Sequence, residues 1–170
     1  MKNIKTLFAG AAGLLASTVA FGGPNENASL SATISAGTLE IVASSLSGTY
    51  SPVGGAVSIT GALQSDALAF EINGVEINDL DGSGTGWTLT ATPAANLVNG
   101  SNNLPLGTTG GFNNPSDSPN TTVDSVNQIT YGSGSGVVGY TVDYDVAYDV
   151  PALVDTGTYT GTVAFAITSL

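Results

Sequence analysis

The segment of residues 139–151, GYTVDYDVAYDVP, is the clearest strand signal in the sequence. Every second residue is a tyrosine or a valine: Tyr140, Val142, Tyr144, Val146, Tyr148 and Val150. The residues between them are polar or small: Thr141, Asp143, Asp145, Ala147 and Asp149. Because successive side chains of a β-strand point to opposite faces, this period of two predicts one buried and one solvated face. At about 3.3 Å per residue the strand would be about 40 Å long, so we expect it to bend or to be shared between two sheets.

Shorter runs of the same kind recur between clusters of glycine, proline and asparagine, which is typical of an all-β chain. The predicted strands cover residues 28–35, 38–43, 56–60, 68–77, 87–92, 126–131, 139–151 and 158–168. We expect a hairpin at Asn73-Gly74, a second hairpin joining 139–151 to 158–168, and a loop over residues 99–127. About eight to ten strands with evenly spaced turns predict an all-β, two-sheet antiparallel β-sandwich of the immunoglobulin-like kind.

The first residues resemble a secretory signal peptide rather than a part of the fold. Lys2 and Lys5 precede an apolar run over residues 6–21, and the small residues Ala20 and Gly22 suit a signal peptidase site. The run is short for a bilayer span, which needs about 20 apolar residues. We therefore predict a signal peptide over residues 1–22, a single domain over residues 23–170, and a secreted protein of the extracellular cell surface without membrane insertion after cleavage.

Charge excludes several classes of function. Lys2 and Lys5 are the only basic residues, the chain has no His or Cys, and 13 residues are acidic. After cleavage of the predicted signal peptide no basic residue would remain to neutralise phosphates, so we do not expect nucleic acid binding. Catalytic triads and zinc sites with nitrogen or sulfur ligands need His or Cys, and thiol nucleophiles need Cys. The sequence has neither residue, so these sites are excluded. Carboxylate chemistry remains, either a two-acid hydrolase or an oxygen-ligand metal site.

The turn DLDGSGTGW offers one candidate metal site. Asp79 and Asp81, with Asn78, Ser83 and nearby carbonyls, place oxygen atoms on alternate residues and could hold calcium. The alternative is a turn in which the aspartates cap their own backbone and the glycines supply positive φ. No other cofactor is expected.

Two further groups carry alternative interpretations. Asp143, Asp145 and Asp149 could be a catalytic pair or a cation ladder, but a solubilising surface explains them more simply. Trp87 could bind a sugar or a wall polymer, but Leu89 shares its face of the predicted strand, which favours the core. We therefore predict that the protein is not an enzyme.

Three segments resemble parts of known extracellular proteins. Residues 75–91, VEINDLDGSGTGWTLTA, are similar to the turn and Trp-x-Leu motif of the WxL family, with Trp87 and Leu89 at the motif positions. Pro151, with GTYTGTVAFAI at residues 157–167, resembles the end of one strand and the C-terminal strand of the family, although Phe165-Ala166-Ile167 stands where the second Trp-x-Leu is expected. The segment ISAGTLEIVASS also resembles the opening strand of TasA/camelysin-type fibre subunits.

The WxL resemblance implies a secreted, non-enzymatic cell-surface module that associates non-covalently with a cell-envelope polymer. The alternative is a self-assembling extracellular filament or matrix subunit, a homopolymer. In that case the N-terminal strand, with Leu30, Ala32 and Ile34 on one face, would complete a neighbour's sheet by strand addition. A carboxylate-dependent hydrolase is the third alternative.

Overall fold

In a computed structural model of the protein, the described residues are 35, 37–46, 50–132 and 137–170. These residues contain nine β-strands. The strands are β1 (Leu39–Ile41), β2 (Gln64–Asp79), β3 (Trp87–Pro93), β4 (Asn96–Asn99), β5 (Asn102–Asn113), β6 (Thr121–Ser125), β7 (Gln128–Tyr131), β8 (Tyr140–Val150) and β9 (Val163–Ser169). Two short 3-10 turns cover Ala43–Leu46 and Ser118–Asn120. The predicted signal peptide and the predicted polymerisation strand with Leu30, Ala32 and Ile34 lie outside the described residues.

The strands form two antiparallel sheets. The first has the order β1-β2-β8-β5-β4 and the second the order β6-β7-β3-β9. Buried side chains from both sheets make one hydrophobic cluster, as expected when two sheets pack face to face. The prediction of an all-β, two-sheet antiparallel architecture is confirmed. No helix among the described residues is long and apolar enough to cross a membrane.

Strand β8 is the centre of the first sheet, and its tyrosines and valines are all buried, as the alternation predicts. It does not pass into the second sheet. Its neighbours accommodate its length instead, because the pairing register shifts in β2 between Ile72 and Val75 and in β5 between Leu106 and Gly110. Such bulges bend a strand and increase its twist without breaking the ladder.

The hairpin predicted at Asn73-Gly74 is wrong, because β2 continues through both residues for 16 residues. Gly74 instead has a φ of 70° inside the β2 bulge, and its amide donates a hydrogen bond of 2.8 Å to Asp143 Oδ1. The Asn-Gly pair thus supplies the positive φ that a bulge needs, and a side chain from β8 replaces the missing ladder hydrogen bond.

The second predicted hairpin is also wrong. Strand β8 pairs with β2 and β5, whereas β9 pairs with β3, so residues 151–162 cross from one sheet to the other. The predicted loop over residues 99–127 contains the strands β5 and β6, and the predicted strand over 56–60 is irregular. Strand β9 begins at Val163 rather than at residue 158.

Candidate functional site

The turn after β2 holds the two aspartates predicted to bind calcium. Asp79 is 3% exposed, and its Oδ1 accepts a hydrogen bond of 3.4 Å from the amide of Asp81. The carboxylate of Asp81 accepts hydrogen bonds from the amide of Ser83 at 2.8 Å and from the hydroxyl of Ser169 at 3.1 Å. Both carboxyl groups therefore organise the turn, and Asp81 also connects it to the end of β9.

The pKa values of these two carboxyl groups are shifted in opposite directions. Burial raises the pKa of Asp79, an effect that the amide of Asp81 opposes and the nearby Asp81 charge reinforces. The hydrogen bond from the Ser83 amide lowers the pKa of Asp81. Among the described residues, no three acidic, histidine or cysteine side chains cluster in a way that could hold a metal ion. The geometry suits the structural turn, and calcium binding stays a prediction.

The Trp-x-Leu pair lies in the core. Trp87 and Leu89 on β3 are both 0% exposed. The indole ring stacks on Tyr131 with centroids 5.2 Å apart and meets the edge of Tyr140 at 4.9 Å. The indole Nε1 has no hydrogen-bond partner. Trp87 therefore acts through packing, and its ring is not available to a sugar or wall polymer at the surface.

The hydroxyl groups of the tyrosines around Trp87 form hydrogen bonds with polar side chains. Tyr131 donates a hydrogen bond of 2.9 Å to Asp117, and burial together with that carboxylate raises the pKa of Tyr131 to about 12. The Tyr140 hydroxyl lies 2.9 Å from the hydroxyl of Thr121. This cluster joins the residues before β6 to both sheets, so Asp117 has a structural role that the sequence did not reveal.

The outer face of β8 carries three aspartates: Asp143, Asp145 and Asp149. Asp143 accepts hydrogen bonds from the amide of Gly74 and from the side-chain amide of Asn114, at 2.8 and 3.0 Å. Asp145 accepts one of 2.8 Å from Asn113, and burial raises its pKa. These carboxylates support the bulged strands on either side of β8.

Asp66 is a further structural carboxylate that the sequence did not single out. It accepts hydrogen bonds from the amides of Thr108 and Thr109 at 2.7 and 3.1 Å and from the hydroxyl of Thr108 at 3.1 Å. These contacts, led by the Thr109 amide, lower the pKa of Asp66. Its own amide donates to Asp149 at 2.7 Å. Asp66, which has a φ of 51°, thus connects β2 to the bulge of β5 through hydrogen bonds.

An apolar groove of about 1290 Å³ opens between the two sheets on the side where β2 and β9 face each other. Its floor includes Leu68, Phe70 and Ile72 of β2, and Val163 and Phe165 of β9. Residues 50–59 line the same groove without forming a strand, and the Val53 amide donates a hydrogen bond of 2.7 Å to the Ala69 carbonyl. The groove is thus covered in part by irregular chain.

Strand β9 borders this groove as the last strand of its sheet. All seven of its residues pair with β3 in unbroken register. No backbone hydrogen bond from another segment of the described chain reaches residues 163–169 on the side away from β3. This edge is therefore a row of backbone donors and acceptors beside an apolar groove.

Comparisons of the chain with protein-family profiles, with curated proteins and with solved structures found no match.

Proposed function

We propose that the protein is an exported, non-enzymatic structural protein of the cell surface that assembles into a filament or matrix. Assembly occurs by strand addition, with the N-terminal segment of one copy, which carries Leu30, Ala32 and Ile34, joining a sheet of the next. The observation that supports this proposal is the edge of β9, which forms no backbone hydrogen bond on the side away from β3 with any described residue, although β1 lies close to it without pairing. Main-chain hydrogen bonds along such an edge supply affinity, and alternate side chains supply specificity.

The other three sheet edges are protected in ways that β9 lacks. Strand β1 has only three residues, and β4 has four with a bridge between Val98 and Thr160. Strand β6 carries Asp124 and a register shift between Val123 and Ser125. Natural sheets use short strands, charges and bulges to prevent pairing with other chains. The seven residues of β9, VAFAITS, include no charge, no proline and no bulge.

The use of the acidic side chains supports a structural role over a hydrolase. Asp66, Asp81, Asp117, Asp143 and Asp145 each accept hydrogen bonds that hold turns or bulges together. A two-carboxylate hydrolase needs one acid with a raised pKa facing a second across a substrate cleft. Asp145, whose pKa is raised, lies on the outer face of the first sheet with its carboxylate bound to Asn113.

Association with a cell-envelope polymer stays a prediction that rests on the WxL resemblance. Trp87 and Leu89 are in the core, so they would contribute to binding of a wall polymer only by maintaining the fold. A wall-binding surface would have to be formed by other residues. The acidic exterior would repel an anionic polymer unless a divalent cation lay between them.

Negative-stain electron microscopy of the secreted protein tests the proposal. Ala166→Lys places a charge on the exposed face of β9, and Val123→Lys is the matched control on the edge strand β6. We expect fibres from the wild-type protein and from Val123→Lys, and single particles from Ala166→Lys, because a lysine opposes edge pairing. Single particles of the wild-type protein at high concentration would refute self-assembly.

A further inference from the structure

The outer face of the second sheet carries a row of threonines that crosses all four strands. Thr88 on β3 is paired with Thr130 on β7 and, on its other side, with Thr168 on β9. Thr130 is paired in turn with Thr122 on β6. Residues that are directly opposite each other in antiparallel strands lie on the same face, and the hydroxyl oxygens of Thr88 and Thr130 are 3.3 Å apart. The row therefore extends from one edge of the sheet to the other.

The same face repeats the threonines along β3. Thr90 and Thr92 follow Thr88 at every second position, and the residues between them, Leu89 and Ala91, are buried. Because successive side chains of a strand point to opposite faces, the three threonines lie on the outer side, where they are half-buried or exposed. The hydroxyl groups thus repeat in two directions, across the strands and along β3, and we call this surface the threonine face.

Sheet geometry sets the two repeat distances of the threonine face. Neighbouring strands lie about 4.8 Å apart, and residues two positions apart along a strand are separated by about 6.8 Å. Strand β3 is paired with both of its neighbours across these positions without a register shift, so its threonines keep both spacings. Each threonine contributes a methyl group and a hydroxyl group that can donate and accept a hydrogen bond. The face is therefore a small two-dimensional lattice of such groups.

The chemistry of the threonine face restricts the kind of partner that it fits. Asp124 is the only charged side chain on the four strands, and it lies at the β6 edge, where it accepts a hydrogen bond of 2.6 Å from Thr130. The outer side of these strands has no aromatic ring on which a sugar could stack. A matching partner is therefore uncharged and itself repeats hydrogen-bonding groups in two directions.

We propose that the threonine face binds ice. On the prism face of hexagonal ice, oxygen atoms repeat in two perpendicular directions at distances close to those of the threonine lattice, and each oxygen donates and accepts hydrogen bonds as a hydroxyl group does. Because neighbouring strands are rotated by about 20–25°, the match covers few repeats, so the protein slows the growth of ice grains rather than strongly lowering the freezing point. This activity does not depend on self-assembly.

The size of ice grains in annealed, frozen sucrose films that contain the secreted protein tests the inference. Thr90→Tyr places a bulky ring in the middle of the lattice, and tyrosine is well tolerated in strands. Thr141→Tyr is the matched control, because it makes the same change on the outer face of β8, the central strand of the first sheet. We expect small grains with the wild-type protein and with Thr141→Tyr, and grains as large as those in buffer with Thr90→Tyr.

A second variant keeps the test decisive if Thr90→Tyr does not fold, as judged by far-UV circular dichroism. Thr168→Tyr changes an exposed position of the row on the edge strand β9 and should also give large grains. Large grains with the wild-type protein, or small grains with a folded variant of either kind, would overturn the inference. Wild-type protein that gives large grains but sediments with crystalline cellulose would overturn it as well and assign the face to a polysaccharide. Electron microscopy of the same samples reports on fibres, so a failure of ice binding is distinguished from a failure of self-assembly.

Discussion

Replacing Trp87 by alanine tests whether the Trp-x-Leu pair acts by packing. The side chain is 0% exposed and contacts the rings of Tyr131 and Tyr140. Truncating a buried tryptophan costs about 3–5 kcal/mol, and the loss of two aromatic contacts places this site at the upper end of that range. Because a domain of this size has a free energy of unfolding of about 5–15 kcal/mol, the loss is a large share of the total.

Trp87→Phe is the informative companion to this variant. A phenyl ring retains part of the contact with Tyr131 and removes the buried indole N–H, which has no hydrogen-bond partner. A buried donor without a partner costs about 1–3 kcal/mol, so its removal offsets part of the lost packing. We expect Trp87→Phe to reduce the free energy of unfolding by about 1–2 kcal/mol, clearly less than Trp87→Ala.

Urea unfolding followed by far-UV circular dichroism measures both variants, since each lacks the only tryptophan. Val123→Ala, at a side chain that is 54% exposed, is the control and should change stability by about 0.5 kcal/mol or less. A cost below about 1 kcal/mol for Trp87→Ala would contradict the packing argument, because a tryptophan this buried cannot be removed so cheaply.

Four other experiments address the carboxylates and the envelope. Asp66→Asn removes a charge that the amides of Thr109 and Thr108 stabilise; because the pKa of Asp66 is lowered, that stabilisation is complete above the ordinary pKa of an aspartate and is lost as pH falls. We therefore expect a lower melting temperature than wild type at pH 7 and a smaller difference in acid, and a difference independent of pH would reject this reasoning. For Asp79 the sign is opposite: burial raises its pKa, so the ionised form is penalised above that pKa, and Asp79→Asn should raise the melting temperature at pH 7 but not at low pH. Millimolar calcium should leave the wild-type melting temperature unchanged if the turn is structural; a rise that disappears in Asp79→Asn and Asp81→Asn would instead establish a calcium site by mass action. Sedimentation with purified cell wall, with and without EDTA, tests envelope association, and protein left in the supernatant in both conditions would reject it.

The sequence predicted the centre of the fold well because that part depends on local alternation. The tyrosines and valines of β8 are buried as expected, and Trp87 and Leu89 lie in the core as their shared face indicated. In both strands, the period of two matches a sheet with one face on the core, so the pattern of a single strand contains the information needed.

The two wrong hairpin predictions concern relations between strands. Asn73-Gly74 has the composition of a hairpin turn, but a bulge also needs a residue with positive φ, and Asp143 of β8 supplies the partner that favours the bulge. The link over residues 151–162 is short enough for a hairpin, yet it joins two sheets because β8 already has β2 and β5 on its two sides. Pairing that is decided by distant strands leaves no local signal.

The candidate assembly site was hidden for the same reason. The sequence VAFAITS predicts a strand, but nothing in those letters distinguishes an edge strand from a central one. Its importance follows from the sheet order, which places β9 last, and from the position of β9 beside the groove. The proposed donor strand rests on sequence alternation alone, whereas the proposed acceptor edge depends on the arrangement of the two sheets.

Charge connects the fold to the proposed assembly. Cleavage of a signal peptide containing Lys2 and Lys5 would take the formal charge from −11 to −13, so two copies repel each other at long range. The acidic side chains are concentrated on the outer face of the first sheet and in the turns, while β9 has none. Contact through β9 would present a strand without charged residues to the neighbouring copy. The exported chain would have no basic side chain to pair with an acid, so its contacts must form without salt bridges. An uncharged strand edge meets this condition. Hydrogen bonding and apolar burial at short range can then exceed the repulsion between two acidic copies, which salt screens.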